Sequence, residues 1–130
     1  MIYGTLQLDA THQYYIQEVG ANHIGEIASL VSVVQPDIAI ITNAAEAHLE
    51  GFGSLAGVVQ AKGEILSGLT NDGVAVLNAD DAHYDVWKSQ RKDQACCAFS
   101  MKTSADVMAE SIQYDAQGRA SFDLMYDAIN

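Results

Sequence analysis

Two short runs constrain this chain most: residues 37–42 (DIAIIT) and 74–77 (VAVL). Neither alternates polar with apolar side chains. A brief, almost wholly apolar run is the pattern of a strand buried on both faces, as inside a parallel sheet. Parallel neighbours need a long crossover between them. Residues 55–69 (LAGVVQAKGEILSGL) supply one, with Leu55, Val58, Val59, Ile65, Leu66 and Leu69 on a single helical stripe. Residues 25–34 repeat that spacing through Ile27, Leu30, Val31 and Val34, and Gln35-Pro36 ends the helix, because a residue before proline avoids the helical region. Residues 13–18 (QYYIQE) read as a preceding strand, residues 81–92 as a helix capped by Asp81, and residues 95–99 as a further strand. Strand and helix thus alternate through the first hundred residues, which predicts a parallel sheet with right-handed crossovers. The texture then changes. Residues 107–115 and 120–126 alternate around Ala116-Gln117-Gly118-Arg119, the pattern of a hairpin with one wet face. The expected fold class is α/β: a mainly parallel sheet with flanking helices plus a C-terminal β-hairpin. Residues 1–130 form one partial domain, with the α/β core at 13–100 and the hairpin at 106–127.

Charge narrows the function. Seventeen acids against six Lys and Arg give a formal net charge of -11. A nucleic-acid surface needs clustered cations to displace counterions, and none is present, so neither nucleic acid nor anionic membrane is an expected partner. The acid excess reads as a solvated surface, with some acids available to hold divalent cations. No apolar run approaches the roughly 20 residues of a membrane span, and residues 1–13 lack the basic-then-apolar pattern of a signal peptide. Cys96 and Cys97 are the two cysteines. Adjacent strand residues point to opposite faces, so they read as free thiols of a reducing cytoplasm.

Ligands of parallel sheets sit at the carboxyl ends of the strands. Here those ends are Glu18, Thr42-Asn43 and Asn78. Glu18 and His48 suit a divalent-cation site, although either also reads as an ordinary surface acid and a structural histidine. Lys62 is more pointed, because it falls on the apolar stripe of its helix. A buried ammonium must snorkel to water, pair with an acid such as Glu18, Glu46 or Glu64, or lose its charge. One way to lose it is to add carbon dioxide, which makes a carbamate and turns a cation into a metal-binding anion. The spacing leaves all three open. Ser54 is better read as a helix N-cap than as part of a ligand loop with Gly51-Phe52-Gly53. Asp80 and Asp81 resemble paired acids, but helix initiation explains Asp81. His12 and His83 read as surface residues. No phosphate loop of the G-x-x-x-x-G-K-[ST] type, dinucleotide fingerprint or hydrolase elbow occurs.

The segments Glu18-Val19-Gly20-Ala21-Asn22-His23-Ile24-Gly25-Glu26-Ile27, Thr42-Asn43-Ala44-Ala45-Glu46-Ala47-His48-Leu49, Phe52-Gly53-Ser54, Ala61-Lys62-Gly63-Glu64-Ile65 and Leu77-Asn78-Ala79-Asp80-Asp81 stand in an order that resembles the Mur ligase family. The resemblance covers roughly residues 7–92. It implies part of the central ATPase domain of an ATP-dependent amide ligase of peptidoglycan synthesis, joining D-Ala-D-Ala to UDP-MurNAc-tripeptide through an acyl phosphate. It also implies ATP and Mg2+ as cofactors. By this resemblance Glu18 matches an acid near the magnesium between the ATP phosphates, His48 a ligand of a second magnesium, and Lys62 a carbamylated lysine holding that second ion. Asn22, His23 and Asn43 match positions lining the same cleft. The family's phosphate loop, adenine motif, UDP-sugar domain and D-Ala-D-Ala domain have no counterpart in these residues, so the chain alone is expected to be inactive. A homodimer formed through the surface this leaves open is expected. The alternative is a non-catalytic association module that keeps the fold, and a third reading is a small metal-dependent hydrolase built on Glu18 and His48.

Overall fold

The computed structural model describes residues 9–45 and 49–126. The elements are α1 (Glu26–Val34), β1 (Ile38–Ile41), α2 (Leu49–Phe52), α3 (Leu55–Gly63) running into a 3-10 helix (Glu64–Gly68), β2 (Val74–Asn78), α4 (Tyr84–Gln90), β3 (Ala95–Ser100), β4 (Val107–Tyr114) and β5 (Ala120–Tyr126). One sheet holds the strands in the order β1-β2-β3-β4-β5. β1, β2 and β3 pair in parallel, and so do β3 and β4 through Phe99–Val107 and Ser100–Met108. β5 returns antiparallel on β4. The expected α/β class with its C-terminal hairpin is therefore present.

The core lies on one face of the sheet. Ala39 and Ile41 of β1 and Ala75 and Leu77 of β2 meet Val59, Leu66, Leu69 and Trp87 from the helical layer. Trp87 is fully buried, and its indole N–H donates to the Val59 carbonyl at 3.0 Å, so its polar edge is satisfied where water cannot reach. Ser54 caps α3, its hydroxyl accepting from the Gly57 N–H at 3.2 Å. α1 rests on the 3-10 helix at Gly68, where a Cβ would stand 2.4 Å from the Cβ of Val31. It ends at Gln35, which takes φ +47° and donates its N–H to the Val31 carbonyl. With α1 stopped there, Pro36 follows outside the helix.

Several expectations need correction. Residues 13–18 form no strand. They lie outside the sheet, with Tyr14 and Ile16 almost wholly exposed. A strand is defined by its partner's backbone, and the sheet order gives this segment no neighbour among the described residues. β1 is covered on one face rather than two: Ala39 and Ile41 are buried, whereas Ile38 and Ile40 are 60% and 56% exposed. The hairpin also lacks a dry face. Every residue of β5 is exposed, although the strand pairs with β4. α4 starts at Tyr84, not Asp81, and His83 occupies its N-cap position without a side-chain cap.

Candidate functional site

Parallel pairing puts the carboxyl ends of β1 and β2 on one edge, where the backbone leaving β1 is pinned three times in succession. Asn78 Nδ2 donates to the Thr42 carbonyl at 2.8 Å. Lys62 Nζ donates to the Asn43 carbonyl at 2.7 Å. The Ala44 N–H donates to Asp81 Oδ2 at 2.8 Å. Asn78 ends β2, Lys62 lies in the last turn of α3, and Asp81 follows β2, so three separate pieces of chain fix three consecutive residues. Backbone groups leaving a sheet have lost their ladder partners and need replacements.

The destination of Lys62 bears on its apolar position. The residue is half-buried, but its ammonium reaches the strand edge and satisfies a free carbonyl. That is the snorkelling outcome, with a specific acceptor at the end. Among the described residues Lys62 makes no ion pair with Glu18 or Glu64, and Glu46 lies outside them. Glu64 is committed elsewhere: Oε1 accepts from the Gly25 N–H at 2.7 Å and Oε2 from the Ala28 N–H at 3.1 Å.

Asp81 is well enclosed, its side chain only 7% exposed. Burial pushes its carboxyl up. The backbone N–H groups of His83 and Ala44 and the His83 ring outweigh that and hold it below the usual aspartate range. The pair of Asp81 with His83 Nδ1 measures 3.1 Å, and His83 is half-buried rather than at the surface as its sequence context implied. Asp80 does related work one strand over: Ser100 Oγ donates to it at 2.6 Å and the Met101 N–H at 2.7 Å, and these bonds lower its pKa.

The second loop precedes α1. The Asn22 N–H donates to Glu26 Oε2 at 2.9 Å, and His23 Nδ1 lies 3.1 Å from Glu26 Oε1. Those bonds, Asn22 first, hold the Glu26 carboxyl below its ordinary range. α2 abuts the same loop so closely that a Cβ on Gly51 would meet the Asn22 carbonyl oxygen at 2.0 Å. A shallow groove of about 570 Å³ runs along Gly20, Ile24, Gly25, Glu26, Ser29 and Leu30.

The structure thus brings Lys62 to Asn43, and Asn22 and His23 to Glu26. Glu18 is exposed in the segment preceding α1. His48 lies outside the described residues. Among the described residues no three His, Cys, Asp or Glu side chains group as a metal site. From sequence Asn78 reads as a strand end, Asp81 as a helix cap resembling a paired acid with Asp80, and Glu64 as a candidate partner of Lys62, but none is assigned the contacts it makes here. Their signal was position: the first two follow β2 at its carboxyl end, and Glu64 sits two residues from Lys62.

Residues 4–129 match the family model of the Mur ligase middle domain. This chain belongs to the Mur ligase family. Among curated relatives it is 49% identical over 113 residues to the UDP-N-acetylmuramoyl-tripeptide–D-alanyl-D-alanine ligase of Haemophilus influenzae, covering 87% of this chain and 24% of that protein. The Escherichia coli ligase of the same name is 45% identical over 114 residues, covering 87% of this chain and 25% of the relative. Among solved structures, MurF from Acinetobacter baumannii superposes with a TM-score of 0.86 at 36% identity, over 93% of this chain and 26% of that one. MurF ligase from Thermotoga maritima, solved in complex with ADP, superposes with a TM-score of 0.67 at 26% identity, over 82% of this chain and 24% of that one. The chain therefore spans about a quarter of the length of these relatives. The family read from the motifs and the family of these relatives are the same.

Proposed function

We propose that this chain is the middle-domain portion of a cytoplasmic, ATP-dependent amide ligase that adds D-Ala-D-Ala to UDP-MurNAc-tripeptide. The observation that carries it is the 49% identity to a ligase of that name over 87% of this chain. In the proposed reaction the tripeptide carboxylate attacks the γ-phosphorus of ATP, forming an acyl phosphate and releasing ADP. The D-Ala-D-Ala amine then adds to the acyl carbon, and the tetrahedral intermediate expels phosphate and sheds a proton to give the amide. Such chemistry rests on positioning and charge stabilisation.

Mg2+ fits this portion on one condition. An ammonium hydrogen-bonded to Asn43 cannot ligate a cation, whereas the carbamate of Lys62 is an anion that can. Glu18 would lie near one Mg2+, and His48 and carbamylated Lys62 would hold a second; when bound, these ions would supply charge neutralisation at the phosphates. Asn43, Asn22 and His23 line the cleft, and the Asn78 and Asp81 contacts keep the strand exit in place. ATP is the expected nucleotide, although nucleotide binding by this portion alone is expected to be weak. The exposed Ile38 and Ile40 face is the surface through which two copies would associate.

The test is a chimera of the E. coli ligase in which this chain replaces the matching segment, assayed for phosphate release from ATP. Release that requires both UDP-MurNAc-tripeptide and D-Ala-D-Ala is expected. A folded chimera that splits ATP equally well without either substrate sinks the proposal. The isolated chain is expected to release none. In 13C-bicarbonate the chimera should show a carbamate resonance that Lys62→Arg lacks. If both proteins lack it, Lys62 acts as an ammonium.

A further inference from the structure

Four observations converge on the short segment that joins α3 to its 3-10 helix. First, Lys62 holds the strand-exit loop at the Asn43 carbonyl. Second, Glu64 holds the loop before α1, spending both carboxylate oxygens on the Gly25 and Ala28 N–H groups, 39 and 36 residues away in sequence. Third, that loop has no side-chain cap of its own. Gly25 sits at φ +93° in the N-cap position without a capping bond, and the neighbouring acid, Glu26, turns back to Asn22 and His23. Fourth, Gly63 between the two charged residues is buried, and a Cβ there would stand 2.1 Å from Gln90 Oε1 and 3.3 Å from the Trp87 ring. α4 therefore fixes the segment from behind.

We propose that Glu64 is a positioning residue: from beside Lys62 it sets the loop bearing Asn22 and His23. Residues 62–64 then register both candidate cleft loops against each other. The relevance of this to ligation rests on the function proposed above. The physics is direct. The first N–H groups of a helix have no partner within it, and a carboxylate placed there gains charge-assisted hydrogen bonds and a favourable interaction with the helix dipole. A cap supplied locally would steady α1 alone. One supplied from residue 64 ties the loop to the element that also carries Lys62. The buried side chains next in sequence, Leu66 and Leu69, belong to the core, so the clamp is anchored where the fold is firmest.

The experiment uses the 15N-labelled chain as it stands, comparing wild type with Glu64→Gln, Glu64→Ala and, as a charge control, Asp72→Asn in an exposed turn. Amide exchange is read at Gly25 and Ala28 and, to monitor the fold, at Val76 and Leu77 in β2. The Asn22 amide and the His23 ring report on the loop. In Glu64→Ala the two capped amides should exchange about tenfold faster or more, and the Asn22 and His23 resonances should move, with β2 exchange nearly unchanged. Glu64→Gln keeps one acceptor oxygen and should fall between. Lys62→Ala should move the Asn43 and Ala44 amides and leave Gly25 and Ala28 protected. Unchanged protection at Gly25 and Ala28, or unmoved Asn22 and His23 signals with β2 intact, overturns the proposal. If Glu64→Ala does not fold, Glu64→Gln against Asp72→Asn decides the same question. None of these readouts involves ATP or substrates. An inactive chimera would therefore remove the ligase function without touching the clamp, and unaltered amides would remove the clamp without touching the function.

Discussion

Gly68→Ala tests how α1 is held to the rest of the molecule. The new methyl would lie 2.4 and 2.5 Å from Cβ and Cγ2 of Val31 and 2.9 Å from the Val31 carbonyl oxygen. Real Cβ atoms do not approach so closely, so α1 must shift. Overpacking of this kind costs about 1–3 kcal/mol, and restriction of the unfolded chain returns about 0.4–1 kcal/mol. The net loss should be roughly 1–2 kcal/mol, or a fall in Tm of roughly 3–10 °C for a domain of this size. Val31→Ala removes two buried carbons and should by itself cost about 2 kcal/mol. The informative variant is the double one. The methyl added at position 68 fills part of the space vacated by the valine methyls, so the two losses should fall short of additive by about 1 kcal/mol or more. The rescue stays incomplete because the 2.4 Å contact with Cβ and the 2.9 Å contact with the carbonyl oxygen both survive in Val31→Ala. Urea unfolding followed by the fluorescence of Trp87, the one tryptophan and fully buried, measures all four proteins. Additivity within roughly 0.5 kcal/mol would refute the reasoning that the Val31 methyls carry part of the clash at Gly68.

Three further outcomes are expected. Trp87→Phe should lose about 1–3 kcal/mol, because the Val59 carbonyl loses its donor inside the core; an unchanged urea midpoint would refute that. Ser54→Ala should cost about 0.5–2 kcal/mol through the uncapped Gly57 N–H, and Ser54→Gly only a few tenths; equal losses in the two variants would count against the cap. Asp81 titrates lower in the folded chain than in the unfolded one, so its stabilising share is fully present above the ordinary aspartate pKa of about 3.9 and is lost as pH falls through its lowered folded value. The stability gap between wild type and Asp81→Asn should thus be constant near neutrality and close only in acid; a gap that is flat down to full acid unfolding would contradict the assignment.

How much of this was legible in the sequence depends on the range of the interaction. β1 and β2 were found because an apolar run of four or five residues is its own signature. α1 and α3 were found because core-facing residues recur every three or four positions. The Ser54 cap spans three residues and was equally visible. The segment at 13–18 looked like a strand for the same local reason, and failed because backbone pairing is not a local property. Ile38 and Ile40 read as buried since their side chains are apolar, but apolar character shows only what burial would stabilise, not whether another element arrives to cover it.

The candidate site divides along the same line. Chain order and strand direction already placed Asn43, Asn78 and Lys62 near one edge, and the motifs named the family. The acceptors of individual side chains did not follow from spacing. Lys62 had three destinations compatible with its position, and only the packing of α3 against β1 sends its ammonium to the Asn43 carbonyl, 19 residues away in sequence. Glu64 had an obvious cationic neighbour in Lys62, yet its carboxylate caps a helix 39 residues earlier. Residues two apart on a helix point away from each other, and an uncapped helix start is the stronger attractor. Sequence alone determined most of the strands and helices, though not the state of residues 13–18, and also which residue types gather at the strand ends and to which family the chain belongs. Tertiary structure decided which free backbone group each charged side chain answers, because that depends on elements far apart in the chain meeting within hydrogen-bond reach.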